Sequence, residues 1–421
     1  MNKVLPYKFK NTILAMFIFI FMIYGYISFI FPVFAYSGFR YEPSLIRILE
    51  SLILFVVTLI FINFKYMSKF MYAVNMIVFL FMSMPNYVLY MFMDISRMIP
   101  YSYFIMHIVL ILLSLSKINF KSYLLKPEFE TKTMIAIVII MLIPFVLTYG
   151  THLNFKVLLF QDIYKVRRYV TAHTNVLTTY FYSWLTNAAI PFLVVYGYVN
   201  KNKKIIVFGI FSMLYLYILA AHKSIFFSLL LLLFLNLFKG YEKKIFVLYL
   251  IIAMVLLFGI IMFDFKDNIM ISSMFLRRVF FLPSLLNHYY FEFFNNNFLY
   301  LSHSIFKHFM DYPYTMVPSH VIGDVYFHNP DMGANNGLIS DGYMNFGYIG
   351  IFINIFIFGF IMKFLESINI NELLFPLLYY FIFALNSSAM LTVLLTHGLI
   401  LFLIMVLFFN KRLNILQKIE N

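Results

Sequence analysis

The sequence predicts an all-α polytopic membrane protein. Three observations carry that prediction. Of the 421 residues, 63% are hydrophobic and only 11% charged, whereas a soluble domain carries roughly 25% charged residues. The apolar residues fall in runs close to the ~20 residues that cross a bilayer as a helix. The turns between those runs are basic, and lysine and arginine divide them.

The spans follow in order. After the basic stretch Met1 to Lys10, an apolar run begins near Ile13. It is long and ends at Phe31, Pro32, Val33 and Phe34, with no small-residue cleavage site, so it is expected to be an uncleaved first span. Spans are then expected near 11–33, 45–64, 70–90, 101–116, 133–149, 181–199, 205–221, 224–238, 245–263, 346–364, 372–388 and 391–409. Twelve spans put both termini on one side. Lysines fill the segments on that side, among them Lys3, Lys8, Lys10, Lys65, Lys69, Lys117, Lys201, Lys243, Lys244, Lys363 and Lys411. The positive-inside rule makes it the cytoplasmic side. One arginine, Arg412, joins the lysines, while Arg40, Arg47, Arg97, Arg167, Arg168, Arg277 and Arg278 fall on the other side, against the rule. A planar guanidinium grips phosphate or carboxylate through two parallel hydrogen bonds, so an anionic ligand at the outer face is the leading explanation.

Residues 1–421 are expected to form one transmembrane domain with two enlarged outer segments, 150–180 and 264–345. Both are rich in Phe, Tyr and Leu, so they are expected to be structured. Residues 275–300 carry apolar side chains at near-helical spacing, as a helix lying on the membrane surface would. The net charge of +14 does not point to nucleic acid, because most of the lysines sit at span ends and set topology. With no cysteine, disulfides, thiol catalysis and cysteine-held metal are excluded.

Three clusters could carry chemistry. Arg277 and Arg278 sit between apolar residues just beyond the ninth span, as a pyrophosphate clamp or as snorkelling anchors. Asp162, Tyr164, Lys165, Arg167, Arg168 and Tyr169 combine cations with aromatic rings, as a site for phosphate and sugar or as a solvated loop with internal ion pairs. The turn-rich stretch from His328 to Gly350 holds Asp341 near a helix start, as a cap or as a site group, with Gly347 and Gly350 suited to close helix packing. Lys223, in a tight outer turn, is either a helix-end anchor or a cation within reach of a diphosphate. Histidines are abundant outside the spans, but no compact ligand pattern such as HExxH occurs, and neither metal nor cofactor is expected.

At these clusters the chain resembles the Wzy-type O-antigen polymerases, which polymerise oligosaccharide repeat units. The resembling pieces run from Arg277 and Arg278 through Pro283 to Tyr289, Tyr290, Phe291, Phe293, Phe294 and Asn296, and from Asn336 and Gly337 through Asp341, Tyr343, Asn345, Phe346 and Gly347 to Gly350. The resemblance implies a GT-C-like glycosyltransferase of the bacterial inner membrane with a periplasmic site. Its donor would be a glycan on undecaprenyl diphosphate and its acceptor a repeat unit on the same carrier, in contact with membrane lipid and with a chain-length regulator as a possible partner. Arg277, Arg278, Arg167, Arg168 and Lys223 would hold diphosphate. Tyr164, Tyr169, Tyr343 and Asn345 would contact sugar. The acceptor hydroxyl needs a proton acceptor, for which Asp341, Asp324, Glu292 and His328 are the candidates. An O-antigen ligase, hinted at by His328 and Asn329, uses the same donor. A flippase predicts charged spans and short loops, unlike this chain.

Overall fold

The computed structural model describes residues 5–120, 131–149, 153–159, 161–295 and 297–420. Among them every regular element is helical. In chain order these are α1 (Tyr7–Ser37), α2 (Leu45–Ile62), α3 (Lys69–Phe92), α4 (Met98–Leu115), α5 (Thr131–Tyr149), α6 (Ile163–His173), α7 (176–199), α8 (Lys203–Ala220), α9 (Lys223–Leu235), α10 (Tyr241–Lys266), α11 (270–293), α12 (Pro318–Phe327), α13 (Leu338–Ser367), α14 (Glu372–Ala384) and α15 (Leu399–Glu420). Each of the twelve expected spans is helical over most of its length. Among the described residues eight helices are long and apolar enough to cross a membrane: α1 to α5, α8, α10 and α13.

The chain, expected as one domain, divides into two compact units. The first comprises Met1–Ile118, Gly240–Glu366 and Ile382–Met390. At its centre lies α3, whose residues 70–92 are all buried. It is apolar on every face because it is surrounded on every face. Helix α1 packs on α10, and α2 packs on both α3 and α4. Wide π-helical turns interrupt α1 at Tyr26–Ile30, α3 at Phe79–Ser83 and α11 at Ser273–Phe281. Their aromatic residues meet in the core: Phe81 stacks on Phe280 at 5.5 Å, and Tyr26 meets Phe281 edge-on at 5.2 Å.

Two segments differ from expectation. Helix α11 does not lie on a surface: Leu285, Leu286, Tyr290 and Phe291 are all buried within the unit. Its aromatic side chains find partners on more than one face, among them Tyr343, Tyr326 and Tyr26. Helix α13 begins at Leu338, not at 346, and kinks at Phe346 and Gly347. Gly347 adopts φ +60°, ψ −143°, open to glycine alone, with the Phe298 ring packed against its Cα. Beyond the kink the long arm (348–367) turns back along the short arm (338–345). A side chain at Gly342 would run into the Gly350 carbonyl, and Asn354 Nδ2 donates to the Leu338 carbonyl at 2.9 Å.

The second unit comprises Asn119–Lys239, Ser367–Phe381 and Leu391–Asn421. Here α7 packs on α8 and α15. At the middle of the first outer segment lies helix α6, the only part of the unit's described chain that concentrates arginine.

Candidate functional site

The first unit has a lysine end and an arginine end. Lys8 lies over the Tyr72 ring at 4.8 Å, Lys10 over Phe246 at 5.7 Å, and Lys363 donates to the Ser116 carbonyl at 3.1 Å. These contacts gather the start of α1, the start of α3, the end of α4, the start of α10 and the end of α13. The opposite helix ends carry Arg40, Arg47, Arg97, Arg277 and Arg278, together with Lys266.

The arginines there fall into two groups. Arg47 is paired with Asp94 at 2.7 Å and also donates to the Glu42 carbonyl, while Arg97 is paired with Glu50 at 3.0 Å. Those four charges neutralise one another. Arg40, Arg277 and Arg278 have no carboxylate within ion-pair distance among the described residues. Arg277 lies with its Cζ 4.2 Å from the centre of the Phe34 ring, and its Nε is buried without a hydrogen-bond acceptor. Arg278 points to the surface. The π-helical stretch spreads successive residues differently from an α-helix, which leaves one guanidinium packed and its neighbour free. An unsatisfied, partly desolvated guanidinium favours an anion, whose oxygens supply the missing acceptors.

Along α11 from these arginines stands a second polar group. His288 Nε2 lies 3.5 Å from Glu292 Oε2, with the histidine side chain 16% exposed and the carboxylate 57%. Tyr289 stacks on Tyr326 at 4.0 Å, and its hydroxyl donates to the Ser37 carbonyl at 3.2 Å. The turn that follows α1 is pressed on that hydroxyl: Gly38 adopts φ +98°, and a Cβ there would collide with it. Arg40 leaves this turn, its carbonyl accepting from the Tyr26 hydroxyl at 2.6 Å. Burial pushes the Tyr289 hydroxyl up to about 12 against the pull of Arg40. Burial likewise lowers His288, with Arg40 lowering it further while Glu292 and Asp94 act in the opposite sense. Burial, then the charge of Glu292, raises the Tyr326 hydroxyl. Sequence reasoning had Glu292 but missed His288, Tyr326 and Arg40 as its neighbours; the i,i+4 spacing of His288 and Glu292 on a helix was the available signal.

Asp341 is neither a cap nor an open site group. It is 5% exposed. Its Oδ1 accepts from Asn336 at 3.2 Å and Asn345 at 3.1 Å, and its Oδ2 from Asn354 at 3.3 Å and the Met390 backbone at 3.1 Å. Four donors fill the four lone-pair sites of a carboxylate. Tyr343 and Asn345, expected to contact sugar, are also interior. Tyr343 stacks flat on Phe291 at 3.9 Å, and Asn345 Oδ1 accepts from the Leu301 backbone. The kink at Phe346 and Gly347 turns this short arm inward, where a helix starting at 346 would have left it in the outer loop. His328 ends α12 in the left-handed conformation, φ +51°, and is exposed. Asp324 is half-buried, one turn back on the same helix.

In the second unit, Arg167 is committed to structure. Its Nε and Nη2 both donate to the Ala221 carbonyl, at 3.3 and 3.0 Å, and so close the C-terminal end of α8. Arg168 and Tyr164 are exposed, and with Arg167, Thr171 and Ala172 they line an open cleft of about 670 Å³. Tyr169 stands on another face of α6, beside a cavity of about 320 Å³ that Lys165, Asn154 and Tyr149 also line. Lys223 opens α9, and its side chain lies outside the described residues.

Fold and composition together define the class: an all-helical, polytopic membrane protein whose arginine clusters lie outside its long apolar helices. No family model, no curated protein and no solved structure matches the chain.

Proposed function

We propose that this protein is a membrane-embedded glycosyltransferase of the Wzy type. It moves a growing glycan from undecaprenyl diphosphate onto the far-end hydroxyl of an incoming lipid-linked repeat unit. One observation carries the reading: the first unit segregates lysine from arginine at opposite helix ends, and three of the arginines lack carboxylate partners among the described residues. By the positive-inside rule the lysine end faces the cytoplasm. On this reading both termini lie inside, the unpaired guanidinium groups lie at the outer face of a bacterial inner membrane, and the helices make a bundle of twelve spans.

The chemistry suits those groups. The acceptor oxygen bonds to the donor's anomeric carbon, and the bond from that carbon to the diphosphate oxygen breaks. The electron pair leaves with the diphosphate. Fixed cations stabilise charge that builds on a leaving group, in a site that costs no reorganisation during the reaction. Both substrates carry a diphosphate, and the arginine end offers more than one cation centre. In the second unit, Arg168 with Tyr164 offers phosphate and sugar contacts along an open cleft.

The test is the glycan ladder of a host strain lacking this chain and complemented with it. Complementation with the native sequence restores the ladder. Arg278→Ala and Arg168→Ala leave single repeat units on the lipid core while the protein still inserts. Normal ladders from both variants overturn the reading. Full-length polymer retained on the carrier in the deletion strain identifies a ligase instead.

A further inference from the structure

The candidate proton acceptors differ in what holds them and in what they can reach. Asp341 is sealed and its oxygens are occupied by four donors. His328 projects from a helix end, and Asp324 shows no side-chain partner that would orient it among the described residues. Glu292 alone is both accessible and held, by His288 at 3.5 Å, with the Tyr326 ring fixed nearby on Tyr289. On a solvated helix an i,i+4 His–Glu pair would be a weak surface contact. Here the histidine is sunk into the unit, and the charge of Glu292 also reaches the Tyr326 hydroxyl.

A distance then bears on which arginine works with it. At 1.5 Å per residue, Glu292 stands about 21 Å along α11 from Arg278, farther than the two side chains reach together. Arg40 is nearer: its turn is packed on Tyr289, and its charge acts on both His288 and Tyr289.

We propose that Glu292 accepts the proton of the attacking hydroxyl, with His288 as its positioning residue, and that Arg40 faces the departing diphosphate. This rests on the glycosyltransferase reading and deepens it. The proton passes from the acceptor hydroxyl to a Glu292 oxygen as the hydroxyl oxygen bonds to the anomeric carbon. The electron pair of the broken carbon–oxygen bond stays on the donor diphosphate, against the Arg40 guanidinium. Arg277 and Arg278 are then left for the acceptor's own diphosphate, with the repeat unit bridging the interval along α11. The placement follows a general rule: a base works when a third group orients it and substrate can still reach it.

The test uses membranes of the host strain carrying its own lipid-linked repeat unit, with the full-length chain. Glu292→Gln lowers polymer formation by about 100-fold or more, the scale of a lost general base, while binding of undecaprenyl diphosphate to the purified protein is unchanged. Arg40→Gln lowers kcat, and Arg278→Gln chiefly raises KM for the acceptor. His288→Phe moves the acidic limb of the pH–rate profile upward, and His288→Gln, which keeps a donor toward Glu292, restores it; a purely structural role for His288 would lower the rate without moving the limb. Native-like polymerisation by Glu292→Gln overturns the assignment, as does a parallel loss of carrier binding. If the native chain itself forms no polymer, the glycosyltransferase reading fails, and this assignment with it; failure of Glu292→Gln alone to reduce activity leaves that reading standing.

Discussion

Replacing Asp341 by alanine separates a structural carboxylate from a catalytic one. The side chain accepts four hydrogen bonds from groups on three segments: Asn336 before α13, Asn345 and Asn354 on its two arms, and the Met390 backbone. Alanine leaves those four donors without their acceptor in a site 5% exposed. An orphaned buried donor costs about 1–3 kcal/mol, so four at the lower bound cost about 4 kcal/mol. Relief from burying a carboxylate offsets part of this, leaving a loss of about 3 kcal/mol. At about 2–3 °C per kcal/mol for a large chain, the melting temperature falls by about 6–9 °C. Asp341→Asn keeps one oxygen and retains about half the bonds, so it falls in between. The assay is thermal unfolding of the detergent-solubilised protein, followed by intrinsic fluorescence or by loss of monodisperse material. If Asp341→Ala melts with the native protein yet forms no polymer, the structural assignment is wrong and Asp341 belongs to the chemistry.

Three further outcomes are expected. Arg167→Ala removes the two bonds that close α8 and lowers stability by about 1–2 kcal/mol, whereas Arg168→Ala leaves the melting temperature unchanged and weakens diphosphate binding; equal melting losses in the two would refute that division. Gly38→Ala forces a side chain into a left-handed turn and against the Tyr289 hydroxyl, destabilising by about 2 kcal/mol or more, as read by the same melts. His288 and His303 are both held below the ordinary histidine value, by burial first. The unfolded chain therefore binds more protons, so their contribution to stability is complete above about pH 6.5 and is lost as pH falls below it. Melting temperatures measured from pH 8 to pH 5 should drop on the acidic side, and a flat profile would contradict the half-buried placement of these rings.

Much of the arginine end was legible because topology and charge are local properties. The lysine–arginine division needs only span ends and their residue types, and contacts such as Lys10 on Phe246 and Arg277 on Phe34 gather the same groups. Close packing at Gly350 was legible too, since a missing side chain permits backbone approach wherever it falls in a helix. Partner choice was not legible. Arg47 is neutralised by Asp94 and Arg97 by Glu50, each across 47 positions of chain, while Arg277 finds only a ring. Nothing in the sequence near these residues distinguishes the paired from the unpaired.

By itself the sequence determined that this chain lives in lipid as a bundle of apolar helices, which end carries which cation, and that the segments between spans hold structure rather than linkers. Those follow from hydropathy, from the cost of placing charge in hydrocarbon and from residue composition, all readable in short windows. Only the tertiary structure decided that Asp341, Tyr343 and Asn345 point inward, that Arg167 closes a helix while Arg168 stays open, and that Glu292 sits with His288, Tyr326 and Arg40. The reason is geometric. A kink at Gly347 and a π-helical stretch at Ser273–Phe281 redirect whole faces of helix, and no local pattern records where a redirected side chain will find its neighbours.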